Sequence, residues 1–242
     1  MALKISAENT DFEVLEAGEH IGVCYKIIDA GTREETWKDN PPKKRKSIFV
    51  TWEVPSQPLA DGRPFSISKK YTASLNENAT LYKDLVTWRG RPFSNEDLKG
   101  FDVSKMVGAP AMLHVEHTDE GRARIKAIFK PDNFKITETV NPTVIFDLDV
   151  YCNEFNGKSD DESKKMCEMF DTIPEWQQGL IHESFEFIAA SKSAPVPIQP
   201  TASAGLSSLV EETVEMVEQD RVKWEAFREK KRNSLTNKEF EM

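Results

Sequence analysis

The 242-residue chain has only three cysteines, Cys24, Cys152 and Cys167, and no C-x-x-C spacing among them. This argues against a disulfide framework, a dithiol redox motif and the common zinc modules, and predicts reduced thiols. No apolar run approaches the roughly 18 residues that cross a bilayer. The first twenty residues hold no apolar core of a secretory signal, so a cytoplasmic, membrane-free setting is expected. The phosphate-cradling patterns G-x-x-x-x-G-K-[ST] and G-x-G-x-x-G and the nucleophile pattern G-x-S-x-G are missing. Four histidines include one close pair, His114 and His117 in "HVEH". On a strand those two point to opposite faces and cannot chelate one ion. Asp147 and Asp149 of "FDLD" share a strand face, but a solvated strap explains them more simply. No catalytic residue, metal or cofactor is expected, and the chain does not read as an enzyme.

What is present is unevenly placed charge. The overall balance is −9. Residues 1–130 carry 20 Lys+Arg against 19 Asp+Glu, and residues 131–242 carry 12 against 22. A near-neutral half with local basic clusters is thus joined to an acidic half, and the total hides basic surface in the first.

Periodicity organises the chain. Residues 1–19 form a polar arm. "HIGVCYKIIDAG" (20–31) reads as a strand, "TREETWKDNPPKKRK" (32–46) as a polar loop, and "SIFVTWEV" (47–54) as a strand with Ile48, Val50, Trp52 and Val54 on one face. "FSISKKYTAS" (65–74) is a third strand, with Phe65, Ile67, Lys69 and Tyr71 on one face. The period then changes: Leu81, Leu85 and Trp88 fall at i, i+4, i+7 in a helix over 76–88, capped by Asn76 or Asn78 and stopped by Gly90. Ser94 and Asp97 have capping-box spacing for a short turn. "PAMLHVEH" and "RARIKAIFK" flank a "TDEG" turn as a hairpin, with Ala123, Ile125, Ala127 and Phe129 as the buried row of the second arm. The pentapeptide "GRPFS" occurs at 62–66 and 90–94, once at a hairpin turn and once after a helix, so it marks turn chemistry rather than duplication.

The order β-β-β-α-β-β predicts a mainly β fold: an OB-fold-like five-stranded antiparallel barrel with a helix between strands three and four, followed by C-terminal helices. The expected divisions are the arm (1–19), the barrel with an extended strap (20–150), a helical extension (151–190) of two helical stretches, the second opened by Thr172 and Glu175 in capping-box spacing, a Pro/Ala/Ser linker (191–205), and a terminal helix and tail (206–242). In the extension, Trp176, Leu180, Ile181, Ser184 and Ile188 form a stripe.

On such a barrel the cations and aromatics fall on surfaces suited to single strands. The first loop holds Trp37, Lys43, Lys44, Arg45 and Lys46. The second strand turns Phe49 away from its hydrophobic row. The third carries Lys69, Lys70 and Tyr71, and the fifth Arg122, Arg124 and Lys126. Arg89 and Arg91 are further phosphate-contact candidates. Cations release counterions from phosphates, and rings offer stacking surface worth about 1–3 kcal/mol per base. The pattern predicts a non-enzymatic, sequence-independent binder of single-stranded DNA. The other reading is a module that recruits or inhibits another protein. The acidic C-terminal part suits contact with replication proteins or self-association.

The segments "IFVTWEV", "GRPFSISKKYTASLNENATLYKDLVTWRGRPFS" and "LKGFDVSKMVGAPAMLHVEH" resemble a family of bacteriophage early proteins described as single-stranded-DNA-binding or replication-associated, with an OB-like core. The resemblance covers residues 18–150. It implies a role in phage DNA replication or recombination in the host cytoplasm.

Overall fold

The computed structural model describes residues 13–36, 40–132 and 138–193. All belong to the first of two compact units, Met1–Pro195, the second being Val196–Met242. The expected linker from 194 on, the terminal helix and Trp37 lie outside the described residues.

Six strands form one sheet: β1 (Gly18–Glu35), β2 (Lys43–Pro58), β3 (Pro64–Thr72), β4 (Pro110–His117), β5 (Ala123–Phe129) and β6 (Val144–Phe146). Five pair antiparallel in the order β3-β2-β1-β4-β5, and β6 joins β1 in parallel. The end strands β3 and β5 come near one another without pairing, so the sheet is unclosed.

The long strand β1 is the axis. It pairs along β4 with its first residues and along β2 with the rest. Register shifts at Cys24/Lys26 and Asp29/Thr32 mark irregularities in the ladder with β2, of the kind that bend a strand. Residues 32–35 and 43–46, within the expected loop, instead pair across the β1–β2 ladder. Glu35 lies opposite Lys43 and Glu34 opposite Lys44, and such cross-strand opposite charges favour pairing.

One side of the sheet packs on helix α1 (Thr80–Arg89), between β3 and β4 as expected. Its Leu81, Leu85 and Trp88 are buried, a burial worth about 6 kcal/mol before entropy. The Trp88 ring lies 5.4 Å from Trp52, and its indole N–H donates to the Pro110 carbonyl at 2.8 Å. Gly90 ends α1 in the left-handed region at φ 68, where glycine fits best. The expected asparagine cap is not made. Ala79 is the N-cap, while Asn76 Oδ1 accepts from Asn78 N in a preceding turn. Ser94 and Asp97 do exchange the expected reciprocal bonds.

The other side is covered as well. Helices α2 (Leu148–Asn153), α3 (Asp161–Phe170), α4 (Glu175–His182) and α5 (Phe185–Ser193) close a second core over Ile28, Ala30 and Phe49. Gly31, at φ 70, permits this approach, since a Cβ there would meet Ser184 Cβ at 2.4 Å and Leu148 Cδ2 at 2.5 Å. Asp147 caps α2 through the Asp149 and Val150 N–H groups. Thr172 does not cap α4. Its hydroxyl donates back to the Met169 carbonyl, and Pro174 occupies the cap.

The described part of the strap that leads to this layer is bonded to β2 at Glu53. Glu53, in the middle of β2, has no exposure. Its carboxylate accepts from Val140 N at 2.9 Å, Asn141 N at 3.0 Å and Asn141 Nδ2 at 2.8 Å. A buried carboxylate is tolerated only when bonded in this way. Three residues later β6 begins its pairing with Lys26–Ile28. Glu53→Ala is expected to lower stability by about 3 kcal/mol and to raise amide exchange across residues 140–153 more than across α1, read by chemical denaturation and hydrogen exchange.

Candidate nucleic-acid interface

The sequence-predicted site divides into side chains turned to solvent and side chains committed to the interior. Phe49 is the plainest correction. It does alternate away from the Ile48, Val50, Trp52 row, but α4 lies over it, and its ring meets Trp176 edge-to-face at 5.1 Å. Periodicity identified the second face of β2, and the helices made that face interior.

Lys69 and Tyr71 point toward α1. Lys69 Nζ and Tyr71 Oη donate to Asp84 Oδ2 at 2.6 and 2.8 Å. Burial, together with the neighbouring Asp84 charge, pushes the Tyr71 phenol far up, so it stays a donor. Arg89 is also interior, its side chain 8% exposed. It pairs with Asp97 at 3.0 Å and lies over the Phe93 and Phe101 rings at 4.3 and 4.9 Å. Lys46 bonds Asp29 at 2.7 Å. Burial raises the Asp29 carboxyl; for Lys46, burial acts downward, but the bond to Asp29 and nearby acids outweigh it and raise it. Lys70 meets Glu35 at 2.5 Å.

The β5 cations are exposed but share partners. Arg124 and Lys126 both bond Glu116, at 2.5 and 2.9 Å, and Arg122 faces Glu120 at 3.4 Å. The expected buried row of β5 fails after Ile125, because the ladder slips between His114 and Val115. The slip turns Ile128 fully inward and leaves Phe129 44% exposed. Arg91 is exposed beyond Gly90.

Lys43, Lys44 and Arg45 remain as consecutive exposed cations at the start of β2. The helical layer brings rings to them that sequence reasoning did not place. Lys44 Nζ lies 4.3 Å from the Phe185 ring centre. Trp176, sitting on Phe49, is 57% exposed, although its spacing with Leu180 and Ile181 predicts a buried stripe. Arg33 fixes the junction: its guanidinium donates to the Leu180 carbonyl at 2.9 Å and to Ser47 Oγ at 3.4 Å. The site is therefore a rim where the β1–β2 hairpin meets α4 and α5.

Among the described residues, no group of three or more His, Cys, Asp and Glu is arranged to hold a metal. His117 is engaged by the Leu15 carbonyl at 2.8 Å. Burial pushes the Cys24 and Cys152 thiols up to about 12 and about 11, which makes them poor nucleophiles.

Asp84→Ala leaves the Lys69 ammonium buried without its partner and is expected to cost about 3 kcal/mol in denaturant unfolding. Lys69→Met added to it should recover part of that loss. No family model matches the chain, and no curated protein does so.

Proposed function

We propose that the chain is a single-stranded-DNA-binding protein of bacteriophage DNA replication or recombination, acting in the host cytoplasm without an enzymatic step. The sheet is read as an OB-like barrel left open at the β3/β5 seam. The strand order and the position of α1 support that reading.

One observation carries the function: Lys43, Lys44 and Arg45 stand exposed in series, with the Phe185 ring 4.3 Å from Lys44 Nζ and the exposed Trp176 on the neighbouring Phe49 of the same strand. The cations would neutralise successive phosphates and release counterions, while the Trp176 face would stack a base. The helices occupy the outer face of β2, so the strand would follow the rim rather than cross the sheet. The β5 cations and Arg91 are secondary phosphate contacts in this reading. Contacts to replication proteins or to further copies would fall to the acidic C-terminal part.

A protein-recruiting module is the second reading. It is favoured by the exposure of Trp176, Phe185 and Ile188 on α4 and α5. The two readings differ in salt dependence. Fluorescence titration with poly-dT should give an affinity that falls steeply with salt. Replacing Lys43, Lys44 and Arg45 together by Ala should flatten the log–log slope by about 2, at roughly 0.7 per phosphate contact. Trp176→Ala should weaken binding by about 1–3 kcal/mol with the slope unchanged. Absence of poly-dT binding at low salt would remove the first reading.

A further inference from the structure

A cleft of about 270 Å³ opens where the β2–β3 turn meets the strap, lined among others by Tyr25, Arg63, Phe65, Ser66 and Asn141. Whole cofactors and drug-sized ligands occupy roughly 300–1,000 Å³, so this space suits one planar ring system with part of its sugar. The half-buried Phe65 supplies aromatic surface, to which any base can present a π-face, beside the largely buried Tyr25.

Its polar groups are fixed by bonds already made. Glu53 can only accept, so the Asn141 amide must turn its NH₂ to Glu53, and its Oδ1 remains as a free acceptor. Tyr25 Oη donates to Ser66 Oγ at 3.2 Å, which leaves the Ser66 proton available to donate. Two residues that line the cleft with Tyr25 and Phe65 thus each keep a polar group, one accepting and one donating, of the kind a nucleobase edge pairs with.

Charge decides which part of a nucleotide enters. The Glu13 carboxylate also lines the cleft, accepting from Ala60 N at 3.0 and 3.1 Å. A phosphate beside it would be repelled. Arg63 is 70% exposed and is held by Asp61 through Nε at 2.8 Å and Nη2 at 2.6 Å, with Nη1 making no part of that grip. The base would enter and its phosphate would stay outside, toward Arg63.

We propose that this cleft holds one unstacked nucleobase of a bound single strand, an assignment that rests on the single-strand reading above. The test uses the full chain and three probes: thymidine monophosphate, ribose 5-phosphate and poly-dT. Saturation-transfer NMR at millimolar ligand should show contact to the thymine protons and none to ribose 5-phosphate. Arg63→Ala with Ser66→Ala, checked by thermal unfolding, should weaken thymidine monophosphate binding about tenfold. The Lys43, Lys44, Arg45 triple variant should weaken poly-dT binding and flatten its salt slope while keeping the thymine signal. No thymine signal, equal signals from the two phosphates, or a double variant that binds unchanged would each overturn the base pocket. Thymine binding without poly-dT binding would instead defeat the single-strand reading and leave a mononucleotide cleft.

Discussion

The fold turns on a carboxylate inside a sheet. Glu53 sits in the central run of β2 among Trp52, Val54 and Thr51, all buried. Water is excluded there, so the charge must be met by the protein itself. The strap supplies its backbone and amide N–H groups at Val140 and Asn141. The bond set anchors the strap just before β6: Val144 joins β1 three residues after Asn141, and α2 begins at Leu148, two residues after β6 ends. The same bonds orient Asn141 over the cleft.

Covering the sheet on both sides changes what its surface can do. Several cations of the first half are consumed internally: Lys46 by Asp29, Lys69 by Asp84, Arg89 by Asp97. These pairs fix elements to one another and leave little charge for a ligand. The surviving positive surface is displaced to the hairpin rim, and the helices that displaced it also furnish Trp176 and Phe185.

Much of this architecture was legible in the chain. Alternation marked the strands, the i, i+4, i+7 spacing of Leu81, Leu85 and Trp88 marked α1, and Gly90 marked its end. The rest depended on partners far apart in sequence. Alternation shows that Phe49 leaves one face of β2, but only the layer built from residues 148–193 decides that it is buried. The run Lys43–Lys46 looked like loop because what orders it is pairing with Thr32–Glu35 across the hairpin. Alternation with Ala123, Ile125 and Ala127 turns Phe129 inward, but a one-residue slip opposite His114 reverses the later side chains of β5, and no local pattern announces it. Trp176 carried a buried-stripe spacing, yet its ring rests on Phe49 with one side open to solvent.

The central claim is that a single strand follows the hairpin rim while the helices stay on the sheet. Hydrogen-exchange mass spectrometry with and without a thymidine oligomer tests it directly. Protection at residues 40–46 and 174–188, together with residues 59–66 and 141 at the base pocket, and no change across residues 148–170, is the predicted result. Deprotection of 148–170 together with new protection across 49–53 would mean that the helices lift and the strand crosses the sheet, which contradicts it.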